Sequence, residues 1–472
     1  MKNLMLALLL ALPLACRGEG LPDLGDVSQA AVSPQQERQI GKQSMFEIRT
    51  DRSYLDDAEV GDYLDHLGYQ LVANSGEPGQ EFEFFAINDN AINAFALPGG
   101  FIGVNTGLIL AVQSESELAS VLSHEIAHVT QHHLARMVAG QKLDTLAAMA
   151  AIAAAILAAR SNPDASQAAI AGMQAGAIQR QLNFTRTHEQ EADRLGLDTL
   201  QKAGLDPHAM PAFLKRLQNA TRLLEGNAPT YLRTHPITSE RVADIAGRLQ
   251  HTPYRLVADS LSFHLVRAKL HAAQKTPQEA LAYFTGALGS RKHGNQTAQR
   301  YGLVLALLRN NQPARAAQEF AALQKQATKN PMIATLAGQL KRANKNDKGT
   351  IGFYRVATQN FPQHRALAYD YAEMLLQARR LEDALKLLGE QVISHPSDPR
   401  LFELQARAYS AAGKHQEGHR ALAYNYALRG NLHGAIEQLE LAKRAGSDYY
   451  QLSIIESDLK QFREIAAAHA KR

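Results

Sequence analysis

Ser123-His124-Glu125-Ile126-Ala127-His128 is the stretch from which the rest of the chain is read. From Glu115 onward apolar residues recur at helical spacing, so His124 and His128 stand at i and i+4. Side chains four apart project from one helical face, near enough to hold a single ion together. Glu125 is one step round the helix, placed to meet a metal-bound water rather than the metal. Zinc lowers the pKa of such a water towards about 7, and a carboxylate then takes its proton as it attacks a carbonyl. Two histidines on an exposed helix would spell the same letters. The chemistry therefore needs a third protein ligand and a position left for water.

Cysteine cannot supply that ligand, because the chain has only one among its 472 residues. Its 18 histidines and its carboxylates are what remain for a transition metal. Downstream, Thr187-His188-Glu189-Gln190-Glu191-Ala192-Asp193 lies in a second helical stretch. Glu189 and Asp193 share a face, so one can bind zinc while the other supports a ligand histidine. Glu191 points elsewhere and reads as a solvated or salt-bridged acid. His132, His133 and His188 read as surface or helix-start residues.

Working outward, residues 30–75 mix apolar and charged positions at helical spacing. Phe82 to Asn88 reads as an aromatic-rich strand, and Asn93 to Val104 as two short strands around Pro98-Gly99-Gly100. Pro98 suits an edge strand, since it cannot donate to a sheet ladder. The alanine-rich run from Leu146 to Ala159 is shorter than the roughly 20 residues a membrane span needs. It reads as a buried helix or a lid beside the site.

Met1-Lys2-Asn3 followed by apolar Leu4 to Ala15 is a signal for export, over residues 1–20. Cys16 follows Leu14-Ala15, where a bacterial lipoprotein is cut and acylated; ordinary cleavage is the alternative, and Pro13 departs from the usual lipoprotein pattern. Beyond residue 255 the chain is helical throughout. Small residues recur at Ala280, Ala316, Thr350, Ala384 and Gly418, with spacings of 36, 34, 34 and 34. A period of 34 is that of a tetratricopeptide repeat, which builds a concave surface for extended segments or partner proteins. Fifty basic against 46 acidic side chains give +4, too weak a balance for a nucleic-acid binder.

The His-Glu-x-x-His at 124–128, followed by Glu-x-x-x-Asp at 189–193, resembles the HtpX and CAAX prenyl-protease family of zinc metallopeptidases. Ile92 to Gly100, Glu125 to Arg136 and Glu189 to Gly196 narrow the resemblance to its periplasmic branch, the β-barrel assembly-enhancing proteases. The order of signal, protease and repeats also agrees. The resemblance implies one zinc per chain on His124, His128 and Glu189, with Glu125 as the base. Asp193 corresponds to a supporting aspartate, sometimes assigned as a proton donor. His235 and Arg241, in Thr234-His235-Pro236-Ile237-Thr238-Ser239-Glu240-Arg241, match a histidine and arginine near the cleft. They would donate to the oxyanion, or His235 would bind the open zinc position and hold the enzyme latent. The strand at Asn93, Ala94 and Phe95 would pair with an extended substrate through its main chain.

The expected fold is mainly α. A zincin-like α+β metalloprotease domain over 30–254, helices with a small edge-strand sheet, precedes an all-α tetratricopeptide solenoid over 255–472. The expected function is a zinc endopeptidase of the Gram-negative periplasm, anchored to the outer membrane if Cys16 is lipidated. It would degrade misfolded or stalled outer-membrane proteins and assist their assembly. The alternative is a chaperone-like adaptor that docks on the outer-membrane assembly machinery through its repeats.

Overall fold

The computed structural model describes residues 32–139, 149–150, 153–154, 175–223, 230–290, 294–326, 329–343 and 347–470. The export signal and Cys16 lie outside the described residues, as does most of the run from Leu146 to Ala159. From that run Met149 and Ala153 are buried against Val32, Ile40 and Ala135. No helix among the described residues is long and apolar enough to cross a membrane.

Helix α1 (Pro34–Thr50) starts where the Ser33 hydroxyl accepts from Gln36 N and the Gln36 side chain accepts from Ser33 N. Helix α2 (Ala58–Val72) is capped by Asp57, which accepts from the backbone of Glu59 and Val60. Such caps satisfy amide groups that a helix start leaves without intrahelical partners. Three strands follow: β1 (Glu83–Ile87), β2 (Ala94–Leu97) and β3 (Phe101–Asn105), in the spatial order β1-β3-β2. The outer pairings differ, β1 with β3 parallel and β2 with β3 antiparallel. The turn between β2 and β3 needs its glycines: Gly99 and Gly100 have φ of 74° and 90°. A side chain on Gly99 would also lie 2.3 Å from Arg38 Cα.

Next come α3 (Thr106–Ala111), α4 (Glu115–Thr130) and α5 (His133–Ala139), then α6 (Ala175–Lys202), α7 (Ala209–Leu223), α8 (Thr230–Thr234) and α9 (Ser239–Arg248). Helix α4 carries the His-Glu-x-x-His motif through the middle of this unit, touching α2, β2, α6 and α7. Its N-terminus is fixed twice. Ser114 caps it, and buried Glu117 takes two hydrogen bonds from the Arg216 guanidinium.

From Leu261 six pairs of helices follow among the described residues, the first Leu261–Gln274 with Pro277–Ser290 and the last Leu432–Ala445 with Tyr449–Ala470. The small residues at Ala280, Ala316, Thr350 and Ala384 are buried, as the close crossing of paired helices requires. The solenoid does not stand apart. The main apolar core runs from Val60 and Leu64 in α2, through Leu122 and Ile126 in α4, to Phe263, Leu307 and Leu340 in the repeats.

Helix α2 lies across the first helices of four successive pairs. Lys269 donates to Asp57 and Glu59 at 2.7 Å each. The Tyr301 hydroxyl approaches Glu59 at 3.5 Å, and Met332 lines the same cleft as Asp62 and Tyr63. Arg365 grips Asp62 with both its backbone amide, at 3.0 Å, and its Nε, at 2.5 Å.

Candidate metal centre

His124 and His128 leave α4 one turn apart, with Nε2 atoms 3.0 Å from each other. Helix α6 crosses α4 at this level because residue 196 is glycine: a Cβ there would sit 3.0 Å from His124 N. That approach brings Glu189 to 3.4 Å from both imidazoles, through Oε2 to His124 and Oε1 to His128. His235, just past α8, completes the group. Its Nδ1 lies 3.3 Å from His124 Nε2 and 3.0 Å from Glu189 Oε1. One donor atom from each of the four residues falls within 4.8 Å of the rest. Zinc bonds of about 2.0–2.1 Å in a tetrahedron would place ligand atoms about 3.3 Å apart. The donor types and spacings therefore fit a zinc ion.

The carboxylates are backed by a buried cation. Arg241 donates from Nε and Nη2 to the two oxygens of Asp193, at 2.7 and 2.8 Å, and from Nη1 to Pro236 O at 2.9 Å. The same Nη1 lies 2.7 Å from Glu189. Asp193 in turn meets His124 Nδ1 at 3.0 Å. This geometry gives Arg241 a place behind Glu189 and Asp193 instead of over the cluster as an oxyanion donor. Asp193 is engaged on both sides, by Arg241 and by His124. Glu125 is buried beside the group with an Oε1 that makes no hydrogen bond; the nearest base is His235 Nε2 at 3.4 Å. A buried acceptor left free is costly.

Burial disfavours charge on His124, but hydrogen bonds to Asp193 and Glu189 outweigh it and push its pKa up to about 10. Burial would raise Glu189, yet His235, His124 and His128 hold it well below the usual carboxylate range. Without metal the cluster thus keeps a proton on His124 at neutral pH. A metal must displace that proton, so affinity should climb with pH, roughly tenfold per unit for one proton. Calorimetric titration at pH 7 in two buffers of different ionisation enthalpy should register proton release on zinc uptake. Identical heats in both would contradict it.

The substrate-strand expectation is refined by register. β2 is an edge strand, and Asn105 N donates to Asn93 O across the β2–β3 pair. Alternation in an antiparallel pair then turns Phe95 and Leu97 towards β3 and leaves the backbone groups of Ala94 and Ala96 facing outward. The strand also touches the centre, since Tyr231 N donates to Ile92 O and the Tyr231 ring stacks on His235 at 4.8 Å. His133 does open a helix and Glu191 is salt-bridged, as two of the expected alternatives had it, whereas His188 lies buried inside α6 and not at a surface or a helix start. The two histidines are buried, and Glu191 is bonded to His133 and Arg136. No period of the sequence marks them, because His133 follows a turn and Glu191 lies off the face shared by Glu189 and Asp193.

Residues 60–249, which contain every side chain of the centre, match peptidase family M48, and residues 348–408 match a tetratricopeptide repeat. The β-barrel assembly-enhancing protease of Escherichia coli is 31% identical over 451 residues, 93% of this chain and 92% of that one. A Vibrio cholerae protein provisionally given the same name is 36% identical over 88% of this chain and 86% of its own. This chain belongs to the β-barrel assembly-enhancing protease family. Its membership makes it a metalloendopeptidase. Likeness to the mitochondrial metalloendopeptidase OMA1 of Schizosaccharomyces pombe is narrower, 32% over 39% of this chain and 51% of that one. The β-barrel assembly-enhancing relatives, by contrast, align through the repeats as well.

Proposed function

We propose that this chain is a zinc-dependent endopeptidase of the periplasm that degrades misfolded or stalled outer-membrane proteins and assists their assembly. The observation that carries the reading is the convergence of His124, His128 and Glu189 beside buried Glu125, whose Oε1 makes no hydrogen bond. These three ligands would hold one zinc per chain. When bound, zinc supplies a Lewis acid that polarises the scissile carbonyl and brings water's pKa towards about 7. Glu125 accepts the proton of the attacking water and returns it to the leaving amine. Asp193 and Arg241 hold His124 and Glu189 in place. Ala94 and Ala96 offer main-chain groups to an extended substrate, which selects unfolded chains with little regard to sequence.

The repeats, from about residue 255, would dock the protease on the outer-membrane assembly machinery, with export directed by residues 1–20 and anchoring through Cys16 if it is acylated. Incubating the zinc-loaded protein with an unfolded outer-membrane β-barrel should yield fragments, halted by a chelator and restored by zinc. Slowed aggregation of that substrate without cleavage would instead favour the adaptor.

His235 is assigned the latch. Its Nδ1 lies 3.3 Å from His124 Nε2 and 3.0 Å from Glu189 Oε1, and this ligand-like spacing supports a place at the corner that substrate chemistry needs. His235→Ala should therefore raise basal cleavage of a non-client protein. Reduced turnover of every substrate with zinc retained would make it an oxyanion donor, a role worth about 10²–10³ in rate.

A further inference from the structure

A metal-ligating imidazole has a second nitrogen, and the partner of that nitrogen fixes the ring's tautomer and its strength as a donor. For His124 the partner is Asp193. For His128 it is a second imidazole: His128 Nδ1 lies 2.8 Å from His133 Nδ1. With His128 Nε2 turned into the cluster, the proton of its neutral ring sits on Nδ1 and is donated to His133. His133 can accept there only with its own proton on Nε2, and that nitrogen is 3.1 Å from Glu191 Oε2. The same oxygen accepts from Arg136 Nη1 at 2.9 Å. The hydrogen bonds therefore run in one direction, from His128 to His133 to Glu191.

The local fold builds this arrangement. Helix α4 ends at Thr130, and a turn through His132, with φ of 49°, carries the chain back so that His133 opens α5 beside His128. His132 itself is tied to buried Glu37 at 2.9 Å. Helix α6, which brings Glu189, also brings His188 and Glu191. The His188 ring lies flat on His133, centroids 4.1 Å apart and planes 5° from parallel. His133 is 4% exposed, and both of its nitrogens are engaged. Glu189 and Asp193 already place two carboxylates against the cluster. A third anion held one ring further out, and paired with Arg136, strengthens His128 without adding repulsion at the ion.

We propose that His133, with Glu191 behind it, is a positioning residue that holds His128 in its metal-binding tautomer and raises its affinity for zinc. This rests on the zinc reading above. The test measures zinc dissociation constants by competition with a chelating dye, and the visible spectrum of the cobalt-substituted protein. His133→Ala should bind zinc about 10–100-fold more weakly, still reaching one ion at saturation, with shifted cobalt bands. His133→Asn, whose Oδ1 falls near the lost Nδ1, should recover most of the affinity. Glu191→Gln should lie between; being isosteric, it decides the matter if His133→Ala fails to fold. Wild-type affinity and spectrum in both His133→Ala and Glu191→Gln, with metal lost in His128→Ala, would overturn the positioning role alone. Full zinc affinity in His128→Ala would overturn the ligand assignment and this proposal with it.

Discussion

Glu125→Gln should bind zinc as the parent chain does and lose about 10²–10⁴-fold of its cleavage rate. The side chain is 1% exposed in the middle of α4, and glutamine has its size, so packing stays. What goes is a buried carboxylate oxygen beside the cluster that carries no hydrogen bond. His128→Ala should behave in the opposite way, losing both metal and activity, because it removes a ligand. Metal analysis and peptide hydrolysis on the two variants separate base from ligand. Retained cleavage in zinc-loaded Glu125→Gln would remove the glutamate from the mechanism, and a full complement of zinc in His128→Ala would remove the histidine from the site.

A chain ended at residue 254 should fail to fold as a cooperative unit, and so lose cleavage of small peptides as well as of protein clients. Phe263, Leu265, Val266 and Leu270 are all buried in the same core as α2 and α4. Burial of such side chains is worth about 1.5–3 kcal/mol each, comparable in sum to the 5–15 kcal/mol that typically separates folded from unfolded protein. Polar anchors would go too. Asp259 accepts from Glu115 N, and Glu115 accepts from both the amide and the hydroxyl of Ser260, at the very start of the catalytic helix. Thermal unfolding by circular dichroism would check this; a sharp transition near that of the whole chain would show that the protease half stands alone.

Much of this site was legible because helical spacing is a local rule. His124 with His128, and Glu189 with Asp193, share faces whatever surrounds them. Which carboxylate reaches the imidazoles was not legible from spacing, since it depends on where α6 crosses α4, and that is set by the glycine at 196. The edge strand could be read from Pro98, but not the outward parity of Ala94 and Ala96, which a partner strand dictates. The burial of His133 and His188 is not legible either, because polarity points outward and only the turn at His132 and the crossing of α6 bring the two rings together. Likewise the 34-residue period reveals repeats while saying nothing of what covers the first helices of the first pairs.

The side formed by the first helices of those pairs has an occupant, helix α2, held by Lys269, Tyr301 and Arg365. A tetratricopeptide array usually offers this side to a ligand from solution. Here the ligand is tethered, and a tethered segment competes at an effective concentration on the order of millimolar. A free peptide at micromolar levels would have to bind orders of magnitude more tightly than α2 to take its place. The first four pairs thus act less as an open receptor than as a receptor whose seat is already taken by a segment of its own chain.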